Sequence, residues 1–138
     1  MRHIVTFFDT NVLVYATIDQ DPAKLTLSEK WIEAAITEGT FYLSPLVLNE
    51  YIFILSKLKI LHHHEEDITL YAQYVQGILD RPLILSAYAM CQKINFCRNI
   101  NDAIHLKTAE IHCDKLVTFD RDFKRFIPHT PLEIDILG

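Results

Sequence analysis

Apolar residues along this chain change period several times, and each change marks an element. Residues 4 to 8, "IVTFF", are a β-branched and aromatic run of the kind that forms a strand buried on both faces. Asp9 or Thr10 can cap a helix directly after it. Pro22 can open the next helix, in which Leu27, Trp31, Ile32, Ala35 and Ile36 recur at helical spacing until Gly39 stops it. "TFYL" reads as a second strand, and Ser44 followed by Pro45 opens a long apolar helix predicted to run to about Leu61.

Beyond it, "EEDITLYAQYVQGIL" predicts another helix and "RPLILS" a third strand. Residues 88 to 97 look helical, Asn99 or Asn101 can cap a helix over "DAIHLKTAEIHC", and "KLVTF" is a further strand. "LEIDI" alternates as an edge strand does, with Leu132, Ile134 and Ile136 facing inward. Strands separated by crossover-length helices imply a mostly parallel sheet covered by helices. The expected fold class is therefore a three-layer α/β/α domain with four or five strands.

Length and composition narrow the picture. The chain's 138 residues suit one domain over residues 1–138, since no linker, repeat or low-complexity tract divides them. Half the residues are hydrophobic and 22% charged, which excludes a disordered or fibrous chain. Asp9 and Asn11 interrupt the apolar N-terminus, and no run approaches the roughly 20 apolar residues of a membrane helix, so a soluble, unexported, cytoplasmic protein without a membrane partner is expected. The three cysteines, Cys91, Cys97 and Cys113, lack CxxC spacing and are expected to be reduced, mostly buried thiols. A net charge of −5 discourages non-specific coating of nucleic acid, yet allows a nuclease whose excess carboxylates face metal ions.

Chemistry concentrates in a few carboxylates. Ligands of an open parallel sheet bind beyond the carboxyl ends of its strands, and Asp9 and Asp120 each follow a predicted strand directly. Either one alone is also an ordinary cap or turn residue. On a helix, Glu50 has Leu46, Val47, Phe53 and Ile54 as its neighbours, so nothing cationic on its own helix can pair with it. Asp102 sits in the first turn of its helix, where the dipole favours a negative side chain; its i+3 and i+4 neighbours are His105 and Leu106.

Two carboxylates about 4 Å apart repel by roughly 4 kcal/mol at an effective dielectric near 20. Convergence of these groups therefore needs compensation, for which a divalent ion is the economical choice, and all-oxygen ligands select Mg²⁺ or Mn²⁺; zinc would want thiolates or imidazoles at a ligand spacing absent here.

The blocks "FFDTNVLVYA", "SPLVLNEY", "NDAIHLKTAE" and "KLVTFDRDF" together resemble the PIN-domain family of metal-dependent ribonucleases, and especially VapC-like toxins of toxin–antitoxin modules. They span nearly the whole chain in the family's order. The resemblance implies an endoribonuclease using Mg²⁺ or Mn²⁺ held by Asp9, Glu50, Asp102 and Asp120, with Asp122 an outer member, and products bearing a 5′-phosphate and a 3′-hydroxyl. Thr10, Asn11 and Thr118 match the family's supporting polar positions. A small antitoxin and a homodimer are the partners it implies, with RNA as substrate. Residues 22 to 79 carry apolar surface that could serve either contact.

Arg98, Lys107, Arg121, Lys124 and Arg125 are candidate RNA-backbone contacts, and Arg121 could instead pair with Asp120 or Asp122. "HHH" at 62 to 64 reads as a surface loop or helix cap, and Tyr71 and Tyr74 with Ile68 and Val75 as a core face. Two competing readings remain. A non-catalytic interaction module would keep the same scaffold. A haloacid-dehalogenase-like phosphatase would use Asp9 as its nucleophile, but wants a second aspartate where Asn11 stands.

Overall fold

The computed structural model describes residues 4–95 and 99–138. The chain opens with β1 (Thr6–Phe8), every residue of which is buried. Asp9 ends the strand and caps α1 (Thr10–Thr17), its carboxylate accepting from the Thr10 amide. In α2 (Pro22–Glu38), Asp21 caps the start and Gly39 ends it at φ 73°, a left-handed position that costs glycine little. Next come β2 (Phe41–Tyr42) and α3 (Pro45–Lys57), the latter capped by the Ser44 hydroxyl at 3.1 Å from the Val47 amide.

Helix α3 stops short of Leu61, because Lys59 turns the backbone to φ 60°. The triple histidine follows as a 3-10 turn over Leu61–His63 ahead of α4 (Glu65–Ala72). His62 and His63 are exposed, and His64 Nδ1 lies 3.0 Å from Asp67. α4 ends before the expected Leu79, since Val75 forms a bridge to Leu43 and Gln76 donates to the Leu43 carbonyl.

The predicted strand "RPLILS" is instead the start of α5 (Arg81–Ile94). Asp80 accepts from the Leu83 amide at 3.1 Å, a proline occupies the first turn, and the buried positions are Leu83, Ala87, Met90 and Cys91. That spacing is helical and extends past the six-residue window that looked extended. α6 (Ile100–His112), β3 (Lys115–Thr118), two short 3-10 turns and β4 (Glu133–Ile136) complete the chain.

The sheet has four strands in the order β2-β1-β3-β4, all parallel. Helices flank it: α1 packs on α2 and α3, α5 on α6, and α3 also meets α4 and α6. β2 lies on one side of β1 and β3 on the other, so the strand order reverses at β1 and opens a crevice at its carboxyl end. Phe7, Phe8, Leu13, Tyr51, Leu55, Leu106 and Leu116 form the fully buried centre of the core. Tyr71 and Tyr74 join it through ring contacts with Phe41.

Cys91 is disulfide-bonded, which corrects the expectation of reduced thiols at that position. Cys113 is a free cysteine, and Cys97 falls outside the described residues. No helix among the described residues is long and apolar enough to cross a membrane.

Removing the α5 cap with Asp80→Ala should lower stability by about 1 kcal/mol, read as a smaller urea midpoint at an unchanged slope. An unchanged midpoint would show that the cap contributes nothing.

Candidate metal centre

The site is built upward from Asp9. Its position at the end of a fully buried strand leaves it 5% exposed, and the neighbouring elements satisfy it. One oxygen takes the Thr10 amide at 2.7 Å. The other takes the Thr118 hydroxyl of β3 at 2.7 Å and the Asn11 amide at 3.4 Å. Asn11 also accepts from the Phe119 amide at 3.1 Å, and Thr118 accepts from the Asp120 amide at 2.9 Å. Through these two side chains the loop after β3 is locked to the start of α1. Asp120 in turn accepts from the Asp122 amide at 2.9 Å and caps the following 3-10 turn.

Glu50 is met from three directions. The Thr10 hydroxyl donates to Oε1 at 2.6 Å, the Asn101 side chain donates to Oε2 at 3.0 Å, and His105 Nε2 stands 2.7 Å from Oε1. His105 is also 3.7 Å from Asp9 and 1% exposed. Sequence reasoning saw this histidine only as the i+3 neighbour of Asp102. The available signal was its place on the inward stripe of α6, one turn on from the aspartate. It is the polar partner from another element that the apolar surroundings of Glu50 required.

Asp9, Glu50, Asp102 and Asp120 all line one open cleft of about 430 Å³, together with Thr10, Asn11, Val14, Tyr15, Gln20, Phe53 and Ile54. Asp102 and Asp120 also border an adjoining hollow with Asn99 and Asp122. Of the basic candidates, Lys107 is paired with Glu110 at 2.9 Å. Arg121, Lys124 and Arg125 are exposed on the 3-10 turn, and Arg98 falls outside the described residues. No ion pair joins Arg121 to Asp120 or Asp122 among the described residues, so that expectation is not met.

The electrostatics record the crowding. Burial, then the nearby Glu50, hold Asp9 above the usual carboxylate range against the opposing pull of His105 and Thr118. Burial first, and then Asp9, Asp120 and Glu50, push Asp102 up to about 7. Burial would raise Glu50 too, but His105, Thr10 and Asn101 outweigh it and hold it low. His105 loses from burial and gains more from Glu50, Asp9 and Asp102, so it stays above the usual histidine range. Among the described residues its buried Nδ1 has no partner, while Nε2 faces Glu50.

A divalent cation fits this donor set. Ligand atoms of Asp9, Glu50 and His105 lie within 4.8 Å of one another, and Asp102 and Asp120 face the same cleft. Because His105 Nε2 already serves Glu50, the outward-facing donors are carboxylate oxygens, which suit Mg²⁺ or Mn²⁺.

Comparison with known proteins agrees with this architecture. The PIN domain family model matches residues 6–127, and the chain belongs to that family. Among solved structures it is similar to VapBC2 from Rickettsia felis bound to a promoter DNA fragment, with a TM-score of 0.72, 17% identity, and 98% of this chain and 100% of that one covered. It is also similar to FitAcB from Neisseria gonorrhoeae, at TM-score 0.68, 18% identity and coverage of 95% and 96%. A toxin–antitoxin complex from Klebsiella pneumoniae matches at TM-score 0.59, 23% identity and coverage of 94% and 99%. No curated protein sequence matches the chain significantly.

The raised Asp102 gives a signed expectation. Its carboxyl keeps a proton in the folded, metal-free protein that the unfolded chain releases near 3.8, so the stability it contributes at low pH is lost as pH rises to about 7. A divalent cation held beside Asp102 would reverse that loss. Added Mn²⁺ or Mg²⁺ should therefore raise the melting temperature more at about pH 8 than at about pH 5. Equal shifts at both would contradict the assignment of Asp102 to the cation's surroundings.

Proposed function

We propose that the protein is a Mg²⁺- or Mn²⁺-dependent endoribonuclease and the toxin of a VapBC-type module. The observation that carries this reading is the convergence of Asp9, Glu50, Asp102 and Asp120 on one cleft at the switch point of a PIN-family fold. In the proposed site Asp9, Glu50, Asp102 and Asp120 hold the cation, with Asp122 at its outer edge. When bound, the ion supplies a water of lowered pKa and neutralises charge developing on the phosphate.

The chain's own groups do the remainder. Thr10, Asn11 and Thr118 fix the two Asp9 oxygens, and Thr10, Asn101 and His105 fix those of Glu50. Both carboxylates are thus aimed before any ligand arrives, which reduces the ordering left to be done during the reaction. No hydrogen bond reaches the Asp102 carboxylate among the described residues, so the oxygen not engaged by the ion would be best placed to accept the proton of the attacking water. In-line displacement then leaves a 5′-phosphate and a 3′-hydroxyl.

A phosphatase using Asp9 as nucleophile gains no support, because Asn11, where such an enzyme wants its acid, is engaged with Asp9, Thr118 and the Phe119 amide. The small antitoxin partner is supported by the similar solved structures, described as VapBC2 and as a toxin–antitoxin complex. A homodimer is supported by exposed Ile84, Leu85 and Tyr88, which share one face of α5. A cytoplasmic location follows from a substrate that is cellular RNA.

Purified protein should cut a mixed RNA pool with Mg²⁺ or Mn²⁺ and not with EDTA. Asp9→Asn and Asp102→Asn should each reduce the rate by about 10²-fold or more. Cleavage indifferent to EDTA and to both substitutions would remove the assignment.

A further inference from the structure

Helix α2 begins with a lysine that the helix itself does not explain. Lys24 is the third residue of α2, and its backbone amide donates to the Asp21 cap at 3.2 Å. A cation in a first helical turn opposes the dipole, which favours negative side chains there. Contacts from other elements hold the side chain instead. Its ammonium lies 4.8 Å from the centroid of the Tyr15 ring and 5.5 Å from that of Phe119, and it donates to the Tyr15 hydroxyl at 3.5 Å. The two rings meet edge to face, 4.9 Å apart. Gly138 comes up to the same stem, since a Cβ there would stand 3.9 Å from Lys24 Cε.

This aromatic shelf is joined directly to the metal centre. Tyr15 lines the cleft and follows Asn11 by four residues on α1, which places the two about one turn apart on the same face. Asn11 in turn bonds to Asp9. Phe119 stands between Thr118, which donates to Asp9, and Asp120, which lines the cleft; its amide donates to Asn11. Among the described residues no carboxylate pairs with Lys24, and residues 1–3 and 96–98 contain no aspartate or glutamate. Ring faces attract a cation without neutralising it, so its charge stays available to an anion.

We infer that Lys24 binds the RNA phosphate adjacent to the scissile one and so positions the strand over the acidic cleft. The inference rests on the ribonuclease reading. The carboxylates with their cation engage the reacting phosphate, whereas the next phosphate along the strand meets the rim, where carboxylates alone would repel it. A lysine anchored on Tyr15 and Phe119 offsets that repulsion at one fixed place. As a compact charge it sets the register of the backbone without reading base identity.

Cleavage of an RNA oligonucleotide over a series of salt concentrations tests the idea. Lys24→Gln should raise KM by about tenfold with kcat little changed, and the fall of log kcat/KM with log salt should become shallower by roughly 0.7–1, the share of one phosphate contact. Lys24→Arg should keep the wild-type slope. Replacing single phosphates in turn by uncharged methylphosphonates should reveal one position, next to the cut, at which wild type loses about tenfold and Lys24→Gln loses nothing further. The melting-temperature rise with Mn²⁺ should persist in both variants, showing an intact carboxylate cluster. A Lys24→Gln enzyme with wild-type KM and salt slope, or one whose loss is the same at every salt concentration and for every methylphosphonate, overturns the inference and leaves the lysine as a prop for Tyr15 and Phe119. A wild type that cuts no RNA at any salt concentration sinks the ribonuclease reading and this inference with it.

Discussion

A carboxylate at the end of a buried strand must find donors in the protein, because water cannot reach it freely. Asp9 stands at that point, and its hydrogen bonds run to the first turn of α1 and to the last residue of β3. Its charge is also felt by His105 of α6 at 3.7 Å. Meeting one buried carboxyl group therefore connects the sheet to helices on both sides of the crevice. Leaving such a buried polar group unpaired would cost on the order of 1–3 kcal/mol. Glu50 extends the same arrangement to α3, with donors from α1 and α6.

This network also separates the carboxylates by temperament. Glu50 is held low by its donors, whereas Asp102 is pushed up to about 7 by burial and by the charges around it. Groups of one chemical type thus reach different protonation behaviour within a single cleft, the difference lying in what each one touches. A cation entering the cleft meets ligands already oriented on one side and a titratable group on the other.

Much of this was legible in the primary structure. The strand-to-aspartate junctions at Phe8–Asp9 and after Thr118 were readable because a short apolar run ending in a charge has few other uses in an α/β fold. Caps at Ser44 and Asn99, and Pro22 in a first turn, marked helix starts for the same local reason. What failed was context. "RPLILS" satisfies a strand template over six residues, and only the burial of Ala87, Met90 and Cys91 beyond it reveals the longer helical period. His105 was obscured differently, since its importance comes from Glu50, 55 residues away in sequence, and no local pattern encodes that meeting. The reach of α4 was overestimated because Val75 and Gln76 are recruited to the edge of β2 by Leu43.

The bond between Thr118 and Asp9 spans 109 residues. During synthesis, the first aspartate leaves the ribosome long before the threonine that completes its coordination exists. Bringing the two together closes a loop whose entropic cost grows only with the logarithm of its length, and which no short-range contact can substitute. The nascent polypeptide therefore lacks an assembled acidic centre until β3 has been made, and whatever chemistry that centre performs must wait for that strand.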